Sequence, residues 1–214
     1  MTGIPPSNPA IGVAMQLIAK PISTGLLTAI IALSVGSPGV AGPLEDGMAA
    51  HDRGDVENAL RLIQPLADQG DAEAQYYLGF IYRTGLGIAE DNTEAVKWYR
   101  KAADQGHVSA QYYLAIMYNL GEGIPENDVE AVKWYRKAAD QGHASAQNSL
   151  GIMYAKGEGV IQNDVEAYKW WNLAAAQGVG SAKKSKAIVA KNMTREQVAE
   201  AQRLSAEWKP VSER

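Results

Sequence analysis

Few side chains in this chain could do chemistry, and those that could recur with a period. There are three histidines, His51, His107 and His143, and no cysteine. An imidazole acts as general acid or base only beside a group it can reach, and a metal site needs several convergent ligands. His107 and His143 lie 36 residues apart, each opening an equivalent helical pattern, which marks a structural position more than a catalytic one. The pairs Gly85-x-Gly87, Gly121-x-Gly123 and Gly157-x-Gly159 lack the longer glycine spacing and preceding strand of a phosphate loop. They read as turns that need left-handed backbone. Trp98, Trp134 and Trp170 could stack on sugars, but they share a helical face with alanines and read as core. Glu94/Lys97, Glu130/Lys133 and Glu166/Lys169 lie three apart, and Arg100/Asp104 and Arg136/Asp140 four apart. Such spacings give weak ion pairs on solvated helices. No nucleophile-base pair emerges. The expectation is a protein that is not an enzyme and uses no cofactor and no metal.

The elements that carry these residues form a repeat. Residues 71–106, 107–142 and 143–178 align without a gap, sharing 23 of 36 positions between the first two copies and 22 between the last two. A fixed period of this length specifies a solenoid of stacked supersecondary units. Within each copy two helices are expected, about 72–83 and 93–105 in copy one. The first carries Ala74, Leu78, Ile81 and Tyr82; the second carries Ala95, Trp98, Tyr99 and Ala102 at i, i+3, i+4 and i+7. Asp91, Asn127 and Asn163 precede a Glu by three, the spacing of a capping box. A Gln-Gly closes each copy. Alanines let helices approach and the aromatics fill the space between hairpins, so neither helix can bury its stripe alone.

Residues 42–70 form a degenerate first unit, a cap with a helix over 56–67 that starts at Gly54-Asp55 and ends at Asp68-Gln69-Gly70. Pro65 should kink or shorten its last turn. Residues 179–209 form C-terminal capping helices, the second opened by Thr194 with Gln197 as reciprocal cap and Met193 packing on Val198. Ala201, Leu204 and Trp208 should supply its apolar edge. The tail, 210–214, should fray.

The pattern Ala74-x3-Leu78-Gly79-x2-Tyr82-x2-Gly85-x-Gly87, then Ala95-x2-Trp98-Tyr99-x2-Ala102-Ala103-x-Gln105-Gly106, resembles the Sel1-like repeat family, a branch of the tetratricopeptide-like solenoids. Ala115 and Trp171 are its mild departures. The resemblance implies an all-α, right-handed α-α superhelix whose first helices line a concave groove for a protein or peptide. Carried over by position, the groove residues are Glu73, Tyr76, Phe80, Arg83 and Thr84 in copy one. In copy two they are Ser109, Tyr112, Ile116, Asn119 and Leu120, and in copy three Ser145, Asn148, Ile152, Ala155 and Lys156. They vary between copies, as residues freed from packing would, although plain solvated surface varies likewise. The implied role is a non-catalytic adaptor or regulator. Cysteine-rich secreted relatives raise a β-lactam-binding or hydrolysing alternative, which the absence of cysteine disfavours. A self-associating envelope scaffold is a third reading.

Formal net charge is −4, which supplies no electrostatic footprint for nucleic acid. Residues 1–41 hold one charge, Lys20, then an apolar run from Ile22 to Val35 and small residues to Ala41. That is the layout of a secretory signal, with cleavage after Ala41 and a possible true start at Met15. An uncleaved anchor is the alternative. The expected product is a periplasmic or secreted monomer with no membrane association once the signal is removed.

Overall fold

The structure is a computed structural model that describes residues 42–211; the signal-peptide expectation and residues 212–214 lie outside them. Among the described residues there are ten helices and no strand. An N-terminal hairpin, α1 (Pro43–Asp52) and α2 (Val56–Asp68), leads into three equivalent hairpins. These are α3 (Ala72–Thr84) with α4 (Asn92–Asp104), α5 (Val108–Leu120) with α6 (Asp128–Asp140), and α7 (Ala144–Lys156) with α8 (Asp164–Ala176). Then come α9 (Gly180–Val189) and α10 (Arg195–Glu207). Each helix packs on its hairpin partner and on the neighbouring hairpin, α2 on α3, α4 on α5 and α6 on α7, which is the stacking of an all-α solenoid.

Local sequence explains the helix ends. Asp71, His107 and His143 cap the first helices, their side chains accepting the backbone N–H of Ala74, Ala110 and Ala146. A histidine can do this only through a deprotonated Nδ1, and sequence rules that rank Ser, Thr, Asp and Asn as caps do not anticipate it. Asp91, Asn127 and Asn163 cap the second helices. The reciprocal half of the box does not form there: Glu94 and Glu130 hold Lys97 and Lys133 instead, at 2.7 and 2.6 Å. The complete capping box is at Thr194–Gln197. Pro65 does not shorten α2, which runs on to Asp68 and ends at the same Gln-Gly as the full copies. In α10 the buried edge is Ala201 and Ser205, with Trp208 beside them; Leu204 is only half-buried.

The alanine columns are the contact planes. Ala74, Ala110, Ala146, Ala95, Ala131 and Ala167 are all fully buried. Trp98, Trp134 and Trp170 are buried too, leaving no ring face open for a sugar. Neighbours in sequence serve different joints: Trp98 packs in a cluster with Val56, Ala59 and Ile63, whereas Tyr99 packs with Ala110 and Leu114. Each such aromatic contributes about 2–3 kcal/mol of burial free energy.

The paired glycines divide two tasks. Gly85, Gly121 and Gly157 take the left-handed conformation that ends the first helix. The second glycine of each pair also seats one copy on the last. A Cβ on Gly123 would lie 2.3 Å from the carbonyl carbon of Asn92, and one on Gly159 would lie 2.2 Å from the Asp128 carbonyl oxygen. Only glycine lets that loop rest on the N-terminus of the preceding second helix.

Candidate functional site

The first helices carry the candidate binding row, and the joints between copies hold it in place. Tyr76 of α3 stacks on His107 at the start of α5, ring centroids 4.7 Å apart and 22° from parallel. One period later Tyr112 stacks on His143 at 4.6 Å and 29°. The same imidazole therefore caps its own helix through Nδ1 and braces the ring of the preceding copy. His107 also places Nε2 3.0 Å from Glu73. Tyr76 leans on Tyr113, which in turn stacks on Tyr99 at 5.5 Å and 12°. Burial, with the neighbouring Tyr113 second, pushes the Tyr76 hydroxyl up to about 12, so it stays a neutral donor throughout the physiological range. Burial raises the Tyr112 hydroxyl as well and lowers His143, which stays neutral as its capping role requires.

The remaining predicted residues divide. Ile116 and Ile152 are half-buried against the core, and Ser109 is half-buried beside them. Ile152, Asn119 and Lys156 border one cleft of about 100 Å³ with Tyr135 and Ser149. Asn119 donates its amide to Asp128 at 2.8 Å, and Lys156 pairs with Glu158 at 3.2 Å. The Asn148 side-chain oxygen is buried without a hydrogen-bond partner, at the position held by Tyr76 and Tyr112 in the other copies. Arg83 reaches forward into copy two, over the Tyr113 ring at 5.4 Å and 3.6 Å from Glu122. Phe80 does not join this group: it turns to the N-terminal hairpin, edge-on to His51 at 6.0 Å. Thr84 donates back to the Phe80 carbonyl at 2.9 Å, Leu120 and Ser145 are exposed, and Ala155 packs on the core.

Sequence reasoning missed Tyr113, the histidine braces and a buried amide chain. Gln75, Gln111 and Gln147 donate to the carbonyls of Ala67, Ala103 and Ala139 in the preceding helix. Their side-chain oxygens accept from Gln105, Gln141 and Gln177, each at 2.8 Å. The signal was present, since Gln follows the alanine column in all three copies and a buried amide must find partners. The second helices also differ from expectation. Arg100 and Arg136 donate to the hydroxyls of Tyr118 and Tyr154 in the next copy, partners that spacing along one helix does not suggest. Among the described residues no cluster of three or more potential metal ligands occurs.

A family model for the Sel1 repeat matches residues 72–107, 108–143 and 144–179. The chain belongs to the Sel1 repeat family. Its three matched repeats each begin one residue after the capping Asp71, His107 and His143. A Sel1 repeat protein from Oxalobacter formigenes is 32% identical with a TM-score of 0.67, over 77% of this chain and 70% of that one. The c5321 protein, a protective antigen of uropathogenic Escherichia coli with an SLR fold, is 26% identical with a TM-score of 0.56 over 80% of this chain. The match spans 46% of the antigen's length. No curated protein matches the chain. Sel1 repeats are generally non-catalytic scaffolds for protein interaction, and Sel1 repeat proteins generally bind proteins.

Proposed function

We propose that this Sel1 repeat protein is an adaptor or regulator that catalyses nothing and receives a protein or peptide along its first-helix face. The observation that carries the reading is the braced row. Tyr76 and Tyr112 repeat at one period, each fixed by a stacked imidazole, with Ile116 and Ile152 between and beyond them. Rigid half-exposed aromatics bind with little loss of side-chain entropy and are favoured anchors. Arg83 and Glu73 add charge of both signs at one end. Constant core columns with a varying face are what selection on a surface, not on packing, would leave. The setting we propose is the cell envelope, on the strength of the apolar segment after Lys20 and the small residues ending at Ala41.

The test is a crosslinking capture from an envelope fraction, comparing the natural chain with Ile116→Ser/Ile152→Ser. These half-buried side chains leave the tyrosine–histidine stacks intact. Loss of the captured protein, with unchanged circular dichroism, supports the first-helix face. Equal capture by both proteins moves the contact elsewhere.

A further inference from the structure

The solenoid ends carry opposite charge. Residues 42–71 hold seven carboxylates against Arg53 and Arg61, a formal −5. Residues 179–195 hold Lys183, Lys184, Lys186, Lys191 and Arg195 with no acid, a formal +5. Residues 72–178 between them carry a formal −4 spread over three copies, and nearest-neighbour packing puts the two segments at opposite ends of the stack. Neither segment contributes to any ion pair among the described residues.

The basic end is also an unfinished hairpin. α9 takes the place of a fourth first helix: Ala182 fills the alanine column and is fully buried. Lys183 and Lys186 stand where full copies bury Gln147 and Leu150. No helix completes the pair. α10 lies along α8 instead, through Gln202 to Tyr168, Ser205 to Asn172 and Trp208 against Trp170. With no hairpin beyond it, α9 leaves Lys183 and Lys184 exposed together with Ile188, 63% exposed, the last two at the columns of Asn148 and Ile152.

A solenoid cap needs a polar outer surface for solubility alone. α10 shows what that looks like here, with Arg203 held between Glu200 and Glu207 and most of its charge paired within one helix. α9 has no such cancellation, and α1–α2 offers the counter-charge, with Asp46, Asp52 and Glu57 exposed.

We propose that the basic face of α9 docks the acidic outer face of the α1–α2 hairpin of a second copy, head to tail. The two faces differ, so the contact is heterologous and propagates into an open chain unless rotation closes it into a ring. It is held by exposed charge and so is sensitive to salt. It departs from the monomer expected on sequence.

The experiment is sedimentation velocity on the full chain, with circular dichroism to confirm folding. In low salt, about 0.02 M, the mass should rise with protein concentration, and in about 0.5 M salt it should return to one chain. Lys183→Glu/Lys184→Glu should be monomeric in low salt, and so should Asp52→Lys/Glu57→Lys. An equimolar mixture of the two should associate in low salt, through the pair of natural faces and through the pair of reversed faces alike, into alternating chains. Placing all four reversals in one chain should restore self-association. A natural chain that stays monomeric in low salt at about tenfold the concentration of dilute assays overturns the proposal, as does a mixture that stays monomeric. Binding of phosphatidylglycerol-containing vesicles through Lys183 and Lys184, by a chain that remains monomeric, would assign α9 to a lipid surface and overturn it as well.

Discussion

The joints inside the solenoid and the joint at its C-terminal end are made at the same sequence positions from different residues. Inside, a histidine braces a tyrosine, an arginine reaches a tyrosine hydroxyl, and a glycine rests on the preceding helix. At the end, Val179 stands where His143 stood, Asn148 where Tyr112 stood, and Asn172 where Arg136 stood. Asn172 no longer reaches forward to a tyrosine; it donates to Ser205 and accepts from Lys186, both in the closing helices. The glutamine that donates to the preceding helix is lost as well, since Lys183 stands where Gln147 stood. Packing of apolar columns is thus common to all the joints. What distinguishes a joint that continues the stack from one that ends it is a small set of polar and aromatic partners.

Removing the shared part should cost most. Trp134→Ala, in the middle copy, should lower stability by about 3–5 kcal/mol through the cavity it opens, read by chemical denaturation. An unchanged midpoint would mean that the middle joint does not rest on this ring. The glycine seat comes next. Gly123→Ala puts a Cβ against the Asn92 carbonyl as well as straining a positive φ, and should cost about 2–4 kcal/mol. Gly106→Ala has a positive φ with nothing within 4 Å, so only strain remains, about 1 kcal/mol. If the two alanines cost the same, the close approach between copies is not what selects Gly123. Gln111→Leu should cost about 1–3 kcal/mol, because the Ala103 carbonyl and the Gln141 amide each lose a partner.

The smallest expected effect is a pH dependence. Burial holds His143 below its ordinary value in the folded chain, so the unfolded chain binds the proton more readily. Stability from this group is therefore full above the unfolded pKa, about 6.5, and is lost as pH falls through the lower folded value. His143→Asp keeps a capping acceptor, as Asp71 does in copy one, and should remove this component from the stability–pH curve. A curve unchanged by the substitution would show that His143 does not titrate with folding.

Much of this was legible in sequence, for a physical reason. Helix faces, caps and glycine terminators are local, and three copies in register make them visible as columns. The contacts that define a joint link residues 18 to 35 apart, such as Arg100 to Tyr118 and Gln141 to Gly106, and within-helix spacing does not point to them. For that reason the tyrosine partners of Arg100 and Arg136 were not visible from the sequence. The candidate site was legible as positions only. Tyr76 and Tyr112 could be placed on the first helices, but not the imidazoles that brace them, because histidine is seldom read as a cap. Phe80 looked equivalent to Ile116 by column. It turns away because copy one alone has His51 and Tyr77 beside it.

Interior joints built from recurring parts have a consequence for how such a chain can change length. Copy two offers on its outgoing side Tyr112, Arg136 and the Ala139 carbonyl, which copy three meets with His143, Tyr154 and Gln147. It accepts on its incoming side through His107 and Tyr118 what copy one supplies. An exact duplicate of residues 107–142 placed after Gly142 would therefore find both of its neighbours already complementary. Growth by whole units is cheap in this molecule, whereas gain or loss of a single residue within a helix puts the joints of that copy out of register.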